Sequence, residues 1–304
     1  MNPITEVVKS AAVITRRDAL AKSAYGTGTF AMAMKLGSIP LALAALPKGA
    51  LAQSTPLEVL EFALLLENLE AEFYLAVLGQ STSTAFNSAF APVRGQLSTD
   101  EVAVFDQIRK HEVAHVAYLR SAISNLGATP TTYTPANFDF TGGNGSGSGP
   151  FAAATTDKGF LLAAAQAFED TGVRAYKGQA GNLMGSNALL EAALRIHSVE
   201  ARHAAQIRKL RANAGVSIEA TGTITQEESG ISGVPNGGQA VVDMIYDGEG
   251  NTSHVVFNGS ANATIDATTL AMVGQFGGAD AVTAAFDEPL TREQVTAIVA
   301  PFIV

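Results

Sequence analysis

The 304-residue chain has no cysteine, no tryptophan and only five histidines, and 15% of its residues are Asp, Glu, Lys or Arg. Without cysteine it has no disulfide and no thiolate nucleophile. It can hold neither an iron–sulfur cluster nor a Cys-ligated zinc. Basic residues are outnumbered 19 to 28, giving a net charge of −9. A general nucleic-acid binder would need a basic stripe instead. The chain is 47% hydrophobic, which excludes general disorder. Its length allows one large domain or two small ones with ample core.

The charge is uneven. Residues 1–52 hold six basic residues against Glu6 and Asp18, so the acidic balance belongs to the remainder. Thr15-Arg16-Arg17-Asp18-Ala19-Leu20 sets paired arginines before a mildly apolar stretch from Ala24 to Leu46, and Ala50-Leu51-Ala52 offers small residues for cleavage. This segment resembles a twin-arginine export signal cut after Ala52, although Ala19 stands where a bulky apolar residue is usual. A membrane span would need about 20 clean apolar residues, and Lys35 interrupts the run. The expected location is the periplasm or the exterior, reached already folded, with no membrane span after cleavage.

Four helices are predicted beyond it. Over 56–79, Leu57, Leu60, Leu64, Glu67, Ala71, Tyr74 and Leu78 recur at steps of three and four, with Pro56 and Gly79 as start and stop. Over 99–126, a Ser98–Glu101 capping box precedes the stripe Phe105, Ile108, Glu112, His115, Leu119, Ala122 and Leu126. Thr-Pro repeats and the run Gly142–Gly149 make 127–156 a long, flexible connection, suited to crossing the length of a bundle. A third helix, 157–183, carries Leu162, Ala165, Glu169, Gly172 and Tyr176 on one face, and a fourth, 187–213, carries Leu189, Ala193, Ile196, Glu200, His203, Ile207 and Leu210.

Two apolar stripes thus contain a lone Glu seven residues before a Tyr, and two contain Glu-x-x-His. Four carboxylates and two imidazoles would face inward, and burying such charges unpaired costs several kcal/mol each. Two divalent cations would neutralise them. The mixed oxygen and nitrogen donors suit iron or manganese.

With these motifs the chain resembles the ferritin-like di-metal carboxylate superfamily, over about 56–213. The segments Leu65–Tyr74 and Phe286–Thr291 are similar to those of exported bacterial members related to plant desiccation-related proteins. The resemblance implies an all-α core: a four-helix bundle with one long crossover and a mixed C-terminal extension. It implies the metal ligands Glu67, Glu112, His115, Glu169, Glu200 and His203, with Glu112 and Glu200 bridging and Glu67 and Glu169 each capping one ion.

Tyr74 and Tyr176 read as core aromatics with a hydrogen bond near the site. His111, one turn before His115, reads either as a partner behind a ligand or as a surface residue. His197 reads as structural. Glu70 and Glu72 compete with Glu67 for the first helix's ligand, with Glu70 the fallback. Glu58 and Glu61 read as solvated.

The domain reading is a signal over 1–52, a bundle over 53–215 and an extension over 216–304 packed on the bundle. In the extension, Ala240–Val242 and His254–Phe257 look β-like. Short helices are expected over 261–272 and 291–302, the second opened by a Thr291–Gln294 capping box.

Two Fe or two Mn ions are the expected cofactors, and O₂ or H₂O₂ the expected partner molecules. Self-association is left open. Fe(II) oxidation, or peroxide disproportionation like that of a manganese catalase, is the first functional reading. Iron storage and a non-catalytic, metal-stabilised stress protein are the alternatives.

Overall fold

The computed structural model describes residues 54–215, 224, 226–227, 229–257, 262–270, 273–275 and 277–304. The export signal expected over 1–52 lies outside these residues. Four long helices dominate: α1 Pro56–Leu78, α4 Thr99–Asn125, α5 Lys158–Gln179 and α6 Asn187–Asn213. Short helices α2 Thr84–Ala89 and α3 Ala91–Arg94 lie between the first two. Among the described residues, no helix is long and apolar enough to cross a membrane.

The helix ends follow from local chemistry. Thr55 with Glu58 and Ser98 with Glu101 form capping boxes at the starts of α1 and α4, and Asp157 caps α5 by accepting from the Phe160 N–H. α1 stops at Gly79, whose φ of 73° is left-handed.

α1 and α5 are buried on nearly every side, whereas α4 and α6 bury one stripe each. α1 packs along α4, and α5 along α6. Tyr74 meets Phe105, while Glu67 meets His115, so α1 and α4 run antiparallel. Tyr74 bonds to Glu169 and Tyr176 to Glu67, so α1 and α5 are antiparallel too. α4 and α5 then run parallel, and the connection between them must travel the length of the bundle.

That connection is tied down. The Asp139 carboxylate accepts from the N–H groups of Thr141, Gly145 and Gly147, each at 3.0 Å. A Cβ on Gly149 would lie 2.3 Å from the Thr141 carbonyl oxygen, so only glycine lets the loop close there. The chain end docks on it: the Asp139 N–H donates to Phe302 at 2.8 Å and the Val304 N–H to Asn137 at 2.9 Å. The glycine-rich run expected to be flexible is therefore wrapped around a buried acid.

The apolar core falls into two clusters. The larger is aromatic, with Phe73 making edge contacts to Phe90, Phe140 and Phe168, and it includes Tyr74. The smaller gathers Leu60, Leu64, Leu119, Ile123 and Ile196 around Tyr176.

The described residues up to Gly250, with Thr283–Val304, form one compact unit. Within it α7 Gly238–Tyr246 and α9 Arg292–Val299 pack on α5. Arg174 of α5 donates to the carbonyls of Glu288 and Asp247, both at 2.7 Å, and to that of Ile245, and pairs with Glu249 at 2.9 Å. Ala240–Val242, expected to be β-like, lies inside α7 instead. Val242, Ile245 and Tyr246 fall on one buried helical face, and tertiary burial overrides the β preference of the Val pair.

The second unit is Asn251–Val282. Its strands β1 Ser253–Phe257 and β2 Asn262–Asp266 pair antiparallel, Ser253 opposite Asp266. His254–Phe257 is thus a strand, as expected. The helix expected over 261–272 is not formed: Asn262–Asp266 pairs with β1, followed by a single 3₁₀ turn, Ala267–Thr269. Residues 261, 271 and 272 lie outside the described ones. α8 spans Gly278–Thr283. At the C-terminus, Thr291 and Gln294 form the expected capping box of α9, which continues into a 3₁₀ turn at Ala300–Phe302.

Candidate metal centre

Mid-bundle, between the two apolar clusters, the helices turn polar residues inward. Glu67, Glu112, Glu169 and Glu200 are each 0% exposed. Steps of three put Glu112 beside His115 on α4 and Glu200 beside His203 on α6. The six residues form two sets of converging donor atoms: Glu67, Glu112, His115 and Glu200, and then Glu112, Glu169, Glu200 and His203. Within each set the atoms lie within 4.8 Å of one another. Glu112 and Glu200 belong to both.

The shared pair divides its oxygens. His115 Nδ1 lies 3.1 Å from Glu67 Oε2, 3.1 Å from Glu112 Oε2 and 3.2 Å from Glu200 Oε1. His203 Nδ1 lies 2.8 Å from Glu112 Oε1, 3.2 Å from Glu169 Oε2 and 3.6 Å from Glu200 Oε2. One ring nitrogen carries at most one proton, yet three carboxylate oxygens crowd each. Glu112 Oε1 and both oxygens of Glu200 accept no hydrogen bond of proper geometry, although they lie within ion-pair range of the rings. These orphaned oxygens belong to the two residues that both sets contain. Each set offers three oxygens and one nitrogen, a donor chemistry that fits iron or manganese.

The remaining capping oxygens are held from across the bundle. The Tyr74 hydroxyl of α1 donates to Glu169 Oε1 of α5, and the Tyr176 hydroxyl of α5 donates to Glu67 Oε1 of α1. The seven-residue Glu–Tyr spacing thus serves reciprocal bonds between antiparallel helices. Burial, then the adjacent carboxylates, push both phenols well above their ordinary range and keep them as donors.

Proton affinities record the crowding. Burial, reinforced by Glu200, pushes Glu112 well above the carboxylate range. Burial also lifts Glu169 to about 7, against the pull of His203. Burial opposes charge on His115, but the adjacent carboxylates of Glu112, Glu200 and Glu67 overcome it and raise the ring to about 12. His203 is raised for the same reason, by Glu169 and Glu112. Burial would raise Glu200 too, yet the two rings bring it down to about 2. Protonated imidazoles would balance part of the negative charge, and a bound cation would displace those protons.

His111 stacks on His203. Its Nδ1 lies 2.8 Å from His203 Nε2, and its Nε2 lies 2.6 Å from Gln107. Behind a metal-ligating imidazole such a partner sets the ring's tautomer and orientation. His197 meets the Val173 carbonyl at 2.9 Å, away from the centre. Glu72 accepts from the buried Ser81 hydroxyl and belongs to neither set. Glu58 caps α1, and Glu61 accepts from the Thr131 N–H at 3.3 Å. Sequence reasoning missed Gln107, which a four-residue step to His111 could have suggested.

The family model for a ferritin-like domain matches residues 55–213, from the cap of α1 to the end of α6. A search of the curated proteins found no match to this chain.

Proposed function

The chain belongs to the ferritin-like domain family, and from that premise we propose that it is an exported stress-protective protein holding two iron or two manganese ions and reacting there with O₂ or peroxide. Bound there, such a pair would supply the electrons that reduce the oxidant, the ions themselves being oxidised. The chain's residues do the rest. Glu112 and Glu200 would each give one oxygen to either ion. Glu67 with His115, and Glu169 with His203, would complete the two positions. Tyr74 and Tyr176 hold the capping carboxylates in place, and the apolar clusters on either side exclude water. The basic N-terminal segment supports export.

One observation carries this reading: at the centre three buried carboxylate oxygens are unsatisfied, and all three belong to the two residues common to both donor sets. Unsatisfied acceptors on adjacent buried acids are what a bound cation would complete.

The test is elemental analysis of protein purified without chelators, followed by Fe²⁺ addition to the metal-free form while O₂ and H₂O₂ are monitored. About two Fe or Mn per chain, with oxidant consumed, is the expected result. Protein that arrives metal-free and takes up neither Fe²⁺ nor Mn²⁺ overturns the proposal.

A further inference from the structure

Two turns of the molecule form a matched pair. Asn144–Gly145, in the glycine-rich connection, and Asn236–Gly237, before α7, are the same dipeptide, and both asparagines are exposed. Their backbones agree closely: φ is 53° at each asparagine, and 85° and 83° at the glycines that follow. A third such pair, Asn258–Gly259, lies outside the described residues.

An asparagine before glycine can lose its side-chain amide to its own main chain. The glycine nitrogen gives up its proton, attacks the side-chain carbonyl carbon and expels ammonia, closing a succinimide ring. Water then opens the ring at either carbonyl, leaving aspartate or isoaspartate. Glycine permits the approach because it has no Cβ. The nitrogen must be free to turn and to lose its proton.

In that freedom the two turns differ. The Gly145 N–H donates to Asp139 Oδ2 at 3.0 Å, and the Asn144 N–H donates to the Pro301 carbonyl at 2.9 Å. Turning this peptide breaks a bond to a buried carboxylate, whose charge also opposes an amide anion beside it. The Gly237 N–H meets no acceptor among the described residues. The chain is braced on either side of it instead. Gln239 accepts from the Val234 N–H at 3.2 Å and donates to the Ile231 carbonyl at 3.1 Å, and the Gly238 N–H reaches the Pro235 carbonyl at 2.9 Å.

We propose that Asn236 is a site of spontaneous deamidation in the folded protein, and that Asp139 protects Asn144 from the same reaction. The inference is independent of the metal centre. Isoaspartate lengthens the main chain just before Gly238, where a Cβ would already lie 2.4 Å from Val234 Cγ1 and 2.7 Å from Pro150 Cβ. The start of α7 must then move.

The test is peptide mapping by mass spectrometry of the purified chain, held folded or in urea at mildly alkaline pH. Deamidation shows as the mass gained when NH₂ becomes OH, with the aspartate and isoaspartate peptides separated by chromatography. In the folded chain Asn236 should react at close to its rate in urea. Asn144 should react about tenfold or more slowly than in urea, because its turn must first open. D139N keeps an acceptor but removes the charge, and should bring Asn144 closer to Asn236. Equal rates at the two asparagines in the folded chain, or an Asn236 that stays intact there while it reacts in urea, overturns the proposal. An Asn144 equally slow in D139N overturns the part assigned to Asp139.

Discussion

Glu169 and Asp170 are neighbours on α5, and they enter two different buried polar clusters. Glu169 joins an acid-rich centre in which only imidazoles carry positive charge. Asp170 turns to the other side, where Arg208 donates to one oxygen and the Tyr246 hydroxyl to the other at 2.6 Å. Around it, Arg211 bonds Gln166 and the Gly230 carbonyl, and Arg174 pairs with Glu249. There the compensating cations are guanidinium groups, charged at every working pH. In the centre they are protons that a metal can displace. A protein that supplies its own cation builds a permanent joint. One that leaves the cation to be supplied builds an exchangeable site.

The two clusters part most visibly at a shared carboxylate of the centre. Glu112→Gln keeps the volume and removes the charge common to both donor sets. Two-ion uptake should be abolished, while the metal-free protein, relieved of one acid, should melt at a higher temperature. Two ions per chain in that variant, by elemental analysis, would refute the assignment of Glu112.

Asp170→Ala should do the reverse. Removing one partner of a buried pair strands the other, a loss of about 3 kcal/mol or more. Urea unfolding should show that loss with cation stoichiometry unchanged. A variant as stable as wild type would mean that Asp170 is not what holds Arg208.

A smaller effect separates the clusters by pH. Burial lifts Glu249 from an ordinary 4.5 to about 7, outweighing Arg174. The folded chain then holds a proton that the unfolded chain has lost. The contribution is full below pH 4.5, declines as pH rises and is gone by about pH 7. Its size is of order 2–3 kcal/mol. Unfolding of wild type and Glu249→Gln, at pH 5 and pH 7.5, should show a flatter profile in the variant. Parallel profiles would remove Glu249 from the account.

Much of the centre was legible because its residues break a pattern. A Glu or His on a leucine stripe is conspicuous, and six such breaks on four helices specify one layer of the bundle. The capping boxes at Ser98 and Thr291 were legible for a related reason, since each is a local pairing that needs no tertiary partner. What depends on distant contacts was not. Ala240–Val242 has β-type residues but is held helical by burial against α5 and α9. The run 262–266 reads equally as helix until its pairing with 253–257 is known. The spacing of Tyr74 and Tyr176 gave each a nearby acid on its own helix. Only the antiparallel packing of α1 and α5 shows that each bonds the other helix's acid instead.

Those crossed bonds also give the molecule an optical property. With no tryptophan in the chain, its near-ultraviolet emission is dominated by tyrosine, of which there are six. Two of them donate directly to the carboxylates of the centre. An excited phenol loses its proton readily to a waiting carboxylate and darkens, and a carboxylate drawn onto a cation is a poorer acceptor. The protein therefore carries its own gauge of the centre: filling it should change the emission of Tyr74 and Tyr176 against that of the other tyrosines, with no dye or label.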